Sequence, residues 1–93
     1  MEEKAKRLAR QLKLLANENR LLILYYLLEK PMTVGELNKK LNKITQSGLS
    51  QHLSMLKAYD LLDSNKEGLN ITYFVKDKKV ESILQMLKEN YMK

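Results

Sequence analysis

The sequence has no cysteine, one proline, three glycines and a single histidine in 93 residues. Without cysteine there are no disulfides, no thiolate zinc sites and no thiol redox switch, which fits a reducing compartment. With so little proline and glycine, local helix propensity stays high along most of the chain. A content of 44% hydrophobic and 30% charged residues is that of a globular domain, not of a disordered or repetitive chain. No apolar stretch approaches the length of a membrane span, and Met1 to Leu15 alternates charges with leucines where a signal peptide needs an unbroken apolar core. A cytoplasmic protein with no membrane partner is expected. Acidic residues are missing from one long stretch: Leu37 to Tyr59 carries Lys39, Lys40, Lys43 and Lys57 and no Asp or Glu, whereas Leu61 to Lys93 is nearly balanced. The formal charge of +6 and the pI near 9.6 are therefore centred on that stretch and point to a polyanionic partner.

The length suffices for one domain, spanning 1–93, and a domain this small buries a modest fraction of its surface when it folds alone. Ala5, Leu8, Leu12 and Leu15 recur at helical spacing and predict an amphipathic first helix. Asn17 caps a second helix around the apolar run Leu21 to Leu28, ended by Pro31. Thr33 with Glu36 makes a capping-box pattern for a third helix, about Val34 to Leu41. After a turn at Asn42 to Ile44, Thr45 caps a fourth helix. Leu61 and Leu62 open a short strand, Asn65 to Gly68 supply turn chemistry, and Leu69 to Val75 form the returning strand. Asp77 caps a last helix with the apolar stripe Val80, Ile83, Leu84, Leu87 and Tyr91. The expected fold is mainly α with a small β-hairpin, a winged helix-turn-helix in the order ααααββα. The terminal helices, about 2–16 and 77–92, carry apolar stripes beyond what a small core needs. They are expected to pair across a two-fold axis through Leu8, Leu12, Leu15, Ile83, Leu84, Leu87 and Tyr91; the alternative is that they complete the monomer's own core.

The stretch "TQSGLSQHLSMLK", 45 to 57, holds the chemistry. At about 100° per residue, Leu49, Leu53 and Leu56 fall in one arc, and Gln46, Ser47, Ser50, Gln51, Ser54 and Lys57 in the adjoining one. Gln pairs bidentately with adenine, Ser donates or accepts at several bases, and a helix N-terminus suits phosphate. The alternative is a solvated face. Ser54 and Lys57, further along, suit backbone phosphate. Lys43 first, with Lys39 and Lys40, is expected to anchor phosphates near the turn, the alternative being ordinary solubility, and Lys66, placed at the hairpin turn, is the expected wing contact. His52 lies about 100° from Gln51, off the reading face, and is expected as a structural histidine bonded to a backbone group. No second His and no Cys joins it as a metal ligand, and no serine stands with it in a catalytic motif. With no nucleophile elbow, phosphate loop or metal set, neither an enzyme nor a cofactor is expected.

From about Leu12 to Asn90 these residues resemble the ArsR/SmtB family of winged-helix transcriptional repressors. "LKLLANENRLLIL" (12–24) looks like that family's second helix and the approach to it, "TVGEL" (33–37) like its third, "TQSGLSQHLSMLK" like its recognition helix, and "EGLNITYFV" (67–75) like its wing. The similarity is greatest to the HlyU/BigR-like branch. The resemblance implies a homodimer bound to an imperfect palindrome in double-stranded DNA, and commonly an effector that releases it. It also implies cysteines at Thr33 and Gly35 for metal sensing, or at about Tyr25 and Met92 for redox sensing. All four are absent. The last helix has Asp77, Glu81 and Glu89 but no histidine, and oxygen ligands alone make a poor transition-metal site. The turn before Thr45 is one residue longer than the family's, and Asp60 stands where a glycine often follows the recognition helix. DNA binding is thus the expected function, with the effector unknown. Two readings stay beside it: a winged helix used as a protein-interaction module, and a repressor sensing a small molecule without metal or thiol.

Overall fold

The computed structural model describes residues 1–92. Helix α1 (Glu2–Leu15) sets only its last turn into the core, where Leu14 and Leu15 are buried. Helix α2 (Glu18–Glu29) starts where the Asn17 side chain accepts a hydrogen bond from the Arg20 N–H at 3.1 Å. Its Ile23, Leu24 and Leu27 are buried. It stops because Lys30 precedes Pro31, whose ring disfavours helical backbone in the residue before it; Lys30 is extended, at φ −167° and ψ 157°.

Met32 and Thr33 then form a strand, β1, that the sequence reading did not anticipate, so the order is ααβααββα. Two residues are too few to show a period, and their partners lie some forty residues on: Met32 pairs with Tyr73 and Thr33 with Thr72. Helix α3 (Val34–Lys40) opens with the expected capping box. The Glu36 N–H donates to Thr33 Oγ1 at 3.2 Å and the Thr33 N–H to Glu36 Oε1 at 3.0 Å. The backbone bond from Thr33 holds the Glu36 carboxyl below its ordinary pKa.

Helix α4 (Gln46–Ala58) buries Leu49, Leu53 and Leu56 completely. It ends in a Schellman motif, in which the Leu61 N–H donates to the Leu56 carbonyl at 3.0 Å and the Asp60 N–H to the Lys57 carbonyl at 3.1 Å. That motif needs a left-handed residue, and Asp60 supplies it at φ 65°. The Asp60 carboxylate also accepts from Arg7 Nη2 at 2.8 Å and Lys76 Nζ at 2.7 Å, tying α1 to the chain beyond the sheet. The bond from Lys76, with the charges of Lys76 and Arg7, holds the Asp60 carboxyl below its ordinary range.

Strands β2 (Leu62–Glu67) and β3 (Asn70–Val75) form the wing, and the sheet runs β1-β3-β2, all antiparallel. The hairpin turn lies further along than Asn65 to Gly68. Glu67 pairs with Asn70, so the turn is Gly68-Leu69, with Gly68 at φ 61°. A two-residue hairpin turn needs positive φ at its first position, which Gly68 provides without a Cβ clash, whereas Asn65 and Lys66 keep strand backbone opposite Thr72 and Ile71. Helix α5 (Lys78–Tyr91) is capped by Asp77, which accepts from the Val80 N–H at 2.9 Å. Among the described residues no helix is long and apolar enough to cross a membrane.

Candidate nucleic-acid interface

The α4 face is set by what holds its other side. Leu49, Leu53 and Leu56 each reach 0% exposure, which fixes the helix about its own axis and turns Gln46, Ser47, Gln51 and Ser54 outward, with Ser50 half-buried beside them. The first turn is secured twice. Thr45 Oγ1 accepts from the Gly48 N–H at 3.0 Å, and Asn38 Nδ2 of α3 donates to the Ile44 carbonyl at 2.9 Å, pinning the α3–α4 connection. A Cβ on residue 48 would stand 3.0 Å from Thr45 Oγ1, so glycine leaves this cap undisturbed. Among the described residues, side-chain hydrogen bonds at α4 involve Thr45, His52 and Lys57, and none of Gln46, Ser47, Ser50 and Gln51. Those four have side-chain donors and acceptors that no bond within the protein uses.

The expected cations land in different situations. Lys43 is exposed in the α3–α4 connection, next to the α4 N-terminus. Lys57, expected on phosphate, donates from Nζ to Ser64 Oγ on β2 at 2.8 Å and so ties the end of α4 to the wing. Lys66 is exposed but lies within β2, opposite Ile71, not at the turn. The wing tip is instead Gly68 and Leu69, with Leu69 99% exposed.

His52 is half-buried, and its partner differs from the expected backbone group. Arg20 Nε donates to His52 Nδ1 at 3.2 Å, and Arg20 Nη1 reaches the Leu14 carbonyl at 3.5 Å. Burial first, and then the Arg20 guanidinium, push the His52 pKa down, so the ring is the neutral acceptor of this bond. Arg20 thus joins α4 to the α1–α2 junction. Sequence reasoning missed it, although its one signal was there: Arg20 is the only basic residue in α2.

The terminal helices present a second surface. Leu8 and Leu12 on α1 and Ile83 on α5 are each about half exposed, and Tyr91 is 81% exposed. Leu87 is half-buried, while Leu15 and Leu84 lie in the chain's own core. Leu8, Leu12, Val80 and Ile83 line one shallow crevice between α1 and α5, so these apolar side chains of the two helices are continuous, whereas Tyr91 lies outside it.

The family description "Bacterial regulatory protein, arsR family" matches residues 17–64, from the α2 cap to the middle of β2. The transcriptional activator HlyU of Vibrio cholerae serotype O1 is 36% identical over 91 residues, covering 98% of this chain and 83% of that protein. The biofilm growth-associated repressor of Agrobacterium fabrum is 34% identical over 87 residues, covering 94% and 74%. The solved structure of HlyU from Vibrio cholerae superposes with a TM-score of 0.91 at 35% identity over the whole of both chains. A winged helix-turn-helix whose α4 carries Gln46, Ser47, Ser50 and Gln51 without internal side-chain bonds, found with relatives of this kind, places the chain: it belongs to the arsR family of bacterial regulatory proteins and is a DNA-binding transcriptional regulator.

Proposed function

We propose that the protein is a cytoplasmic homodimeric repressor in which the α4 helices of two protomers enter successive major grooves of an inverted repeat, about 34 Å apart. Gln46, Ser47, Ser50 and Gln51 read base edges, Lys43 and Ser54 hold phosphate, and Lys66 with the exposed wing tip follows the neighbouring minor groove. Lys57 reaches phosphate only by releasing Ser64, or else serves to brace the wing. The observation that carries this reading is the row of unbonded polar side chains on α4, exposed at Gln46, Ser47 and Gln51 and half-buried at Ser50, inside a stretch with no acidic residue. Dimerisation through α1 and α5 is supported by the continuous apolar crevice between them. Of the two relatives described above, HlyU is named an activator and the Agrobacterium fabrum protein a repressor. A dimer seated over a promoter would repress by excluding polymerase.

The test is fluorescence anisotropy against the gene's own upstream region and against a scrambled duplex. Gln46→Ala with Gln51→Ala lowers the ratio of specific to non-specific affinity by at least tenfold, at about 1–3 kcal/mol per lost bidentate pair. Lys43→Ala weakens both duplexes alike and flattens the salt dependence. Unchanged specificity in the glutamine pair removes α4 as the reader.

A further inference from the structure

We infer that the cleft between the start of α2 and the α3–α4 connection is an effector site for a small amphipathic monoanion, an aryl or short alkyl carboxylate, whose binding weakens the hold on DNA. The cleft encloses about 300 Å³, at the small end of the range for ligand pockets. Its apolar wall is Leu22, Tyr26, Leu41 and Ile44, and its rim carries Lys40 and Lys43. The Tyr26 ring is held edge-on by Tyr25, with centroids 5.5 Å apart, and offers a fixed aromatic surface. Lys40 Nζ lies 5.9 Å from that ring's centroid, at the outer limit of a cation–π contact, so its charge is weakly engaged. Neither lysine has an acidic partner within 4.0 Å among the described residues. Glu18 also faces the cleft. Two lysines against one glutamate leave a single positive charge to balance, which selects a monoanion over a neutral molecule or a dianion. An apolar wall with one unbalanced charge at its rim is the complement of a hydrophobic carboxylate.

The position explains the consequence. Ile44 forms part of the wall and immediately precedes Thr45, the α4 cap, and its side chain lies against Gly48 in the first turn of α4. A ligand pressed on Ile44 therefore acts directly on the helix end that carries Gln46 and Ser47. Its carboxylate also neutralises Lys43, the cation assigned to phosphate. This second effect rests on the DNA-reading assignment above, whereas binding itself does not.

The experiment titrates the isotope-labelled full chain with sodium benzoate, benzyl alcohol and benzylamine at constant ionic strength, followed by NMR. Benzoate gives saturable shifts at Leu22, Tyr26, Lys43 and Ile44 at millimolar concentration, as expected for a ligand of so few atoms, and the other two give none. Lys40→Gln weakens benzoate binding roughly two- to five-fold and Glu18→Gln tightens it by a similar factor, the scale of exposed charge pairs. In a separate arm, benzoate lowers operator affinity. No saturable shift, or equal binding of benzyl alcohol, overturns the site. Saturable binding with operator affinity unchanged overturns the effector role. Because the binding arm contains no DNA, its failure is distinct from failure of the glutamine test, which concerns only the reading face.

Discussion

Leu12 tests the proposed dimer contact, because its side chain is 52% exposed on α1 although it stands in the same stripe as the buried Leu15. Full burial of a leucine is worth about 1.5–3 kcal/mol, so covering the exposed half is worth about 1 kcal/mol. A two-fold axis counts each contact twice, and truncation to alanine therefore costs about 2 kcal/mol per dimer, roughly thirty-fold in the dimer dissociation constant. The monomer's fold is little affected, since alanine is the best helix former and Leu12 contributes little to the core. Leu84→Ala is the contrasting substitution. At 4% exposure Leu84 belongs to the core, and its truncation costs about 2–5 kcal/mol of folding stability. Sedimentation equilibrium over a dilution series, paired with urea denaturation, reads both quantities. The expected pattern is a looser dimer of normal stability for Leu12→Ala and a destabilised fold for Leu84→Ala. A wild-type chain that sediments as a monomer, or a Leu12→Ala dimer as tight as wild type, refutes the α1–α5 interface.

Two further outcomes follow from the links around α4. A proton on His52 Nδ1 would remove the acceptor of the Arg20 bond, so the folded protein takes it up less readily than the unfolded chain, whose histidine titrates near 6.5. Stability is therefore complete above that value and declines as pH falls through it toward the lowered folded pKa. His52→Gln keeps an acceptor without titrating, and its melting temperature falls less than that of wild type between about pH 7.5 and 5.5; parallel curves would exclude the Arg20–His52 bond as the cause. Asp60 combines a left-handed backbone with two ion pairs. Asp60→Gly loses only the pairs, whereas Asp60→Ala also strains the backbone, so the alanine variant melts below the glycine variant in thermal denaturation, and the reverse order would disprove the strain.

The helix starts were legible because a cap is local chemistry. Asn17, Thr33, Thr45 and Asp77 each bond to an N–H three residues ahead, a relation written within four letters of sequence. The face of α4 was legible for a similar reason, since a fixed helical period converts spacing into direction. The hairpin turn was displaced because Asn65 and Gly68 both carry turn propensity, and only the cross-strand register chose Gly68-Leu69. Strand β1 was invisible for want of length.

The residues themselves determined the order of the helices and their caps, the leucines that bury α4 and the polar face adjoining them, and the absence of thiol chemistry. Contacts between distant parts of the chain decided the rest. Tertiary packing gave His52 its partner in Arg20, thirty-two residues away, drew Lys57 onto the wing, and divided the α1 and α5 stripes into core and exposed apolar surface. Local propensity and periodicity act over a few residues, whereas the partner of a side chain, and whether it is covered, depend on which segments the fold brings together.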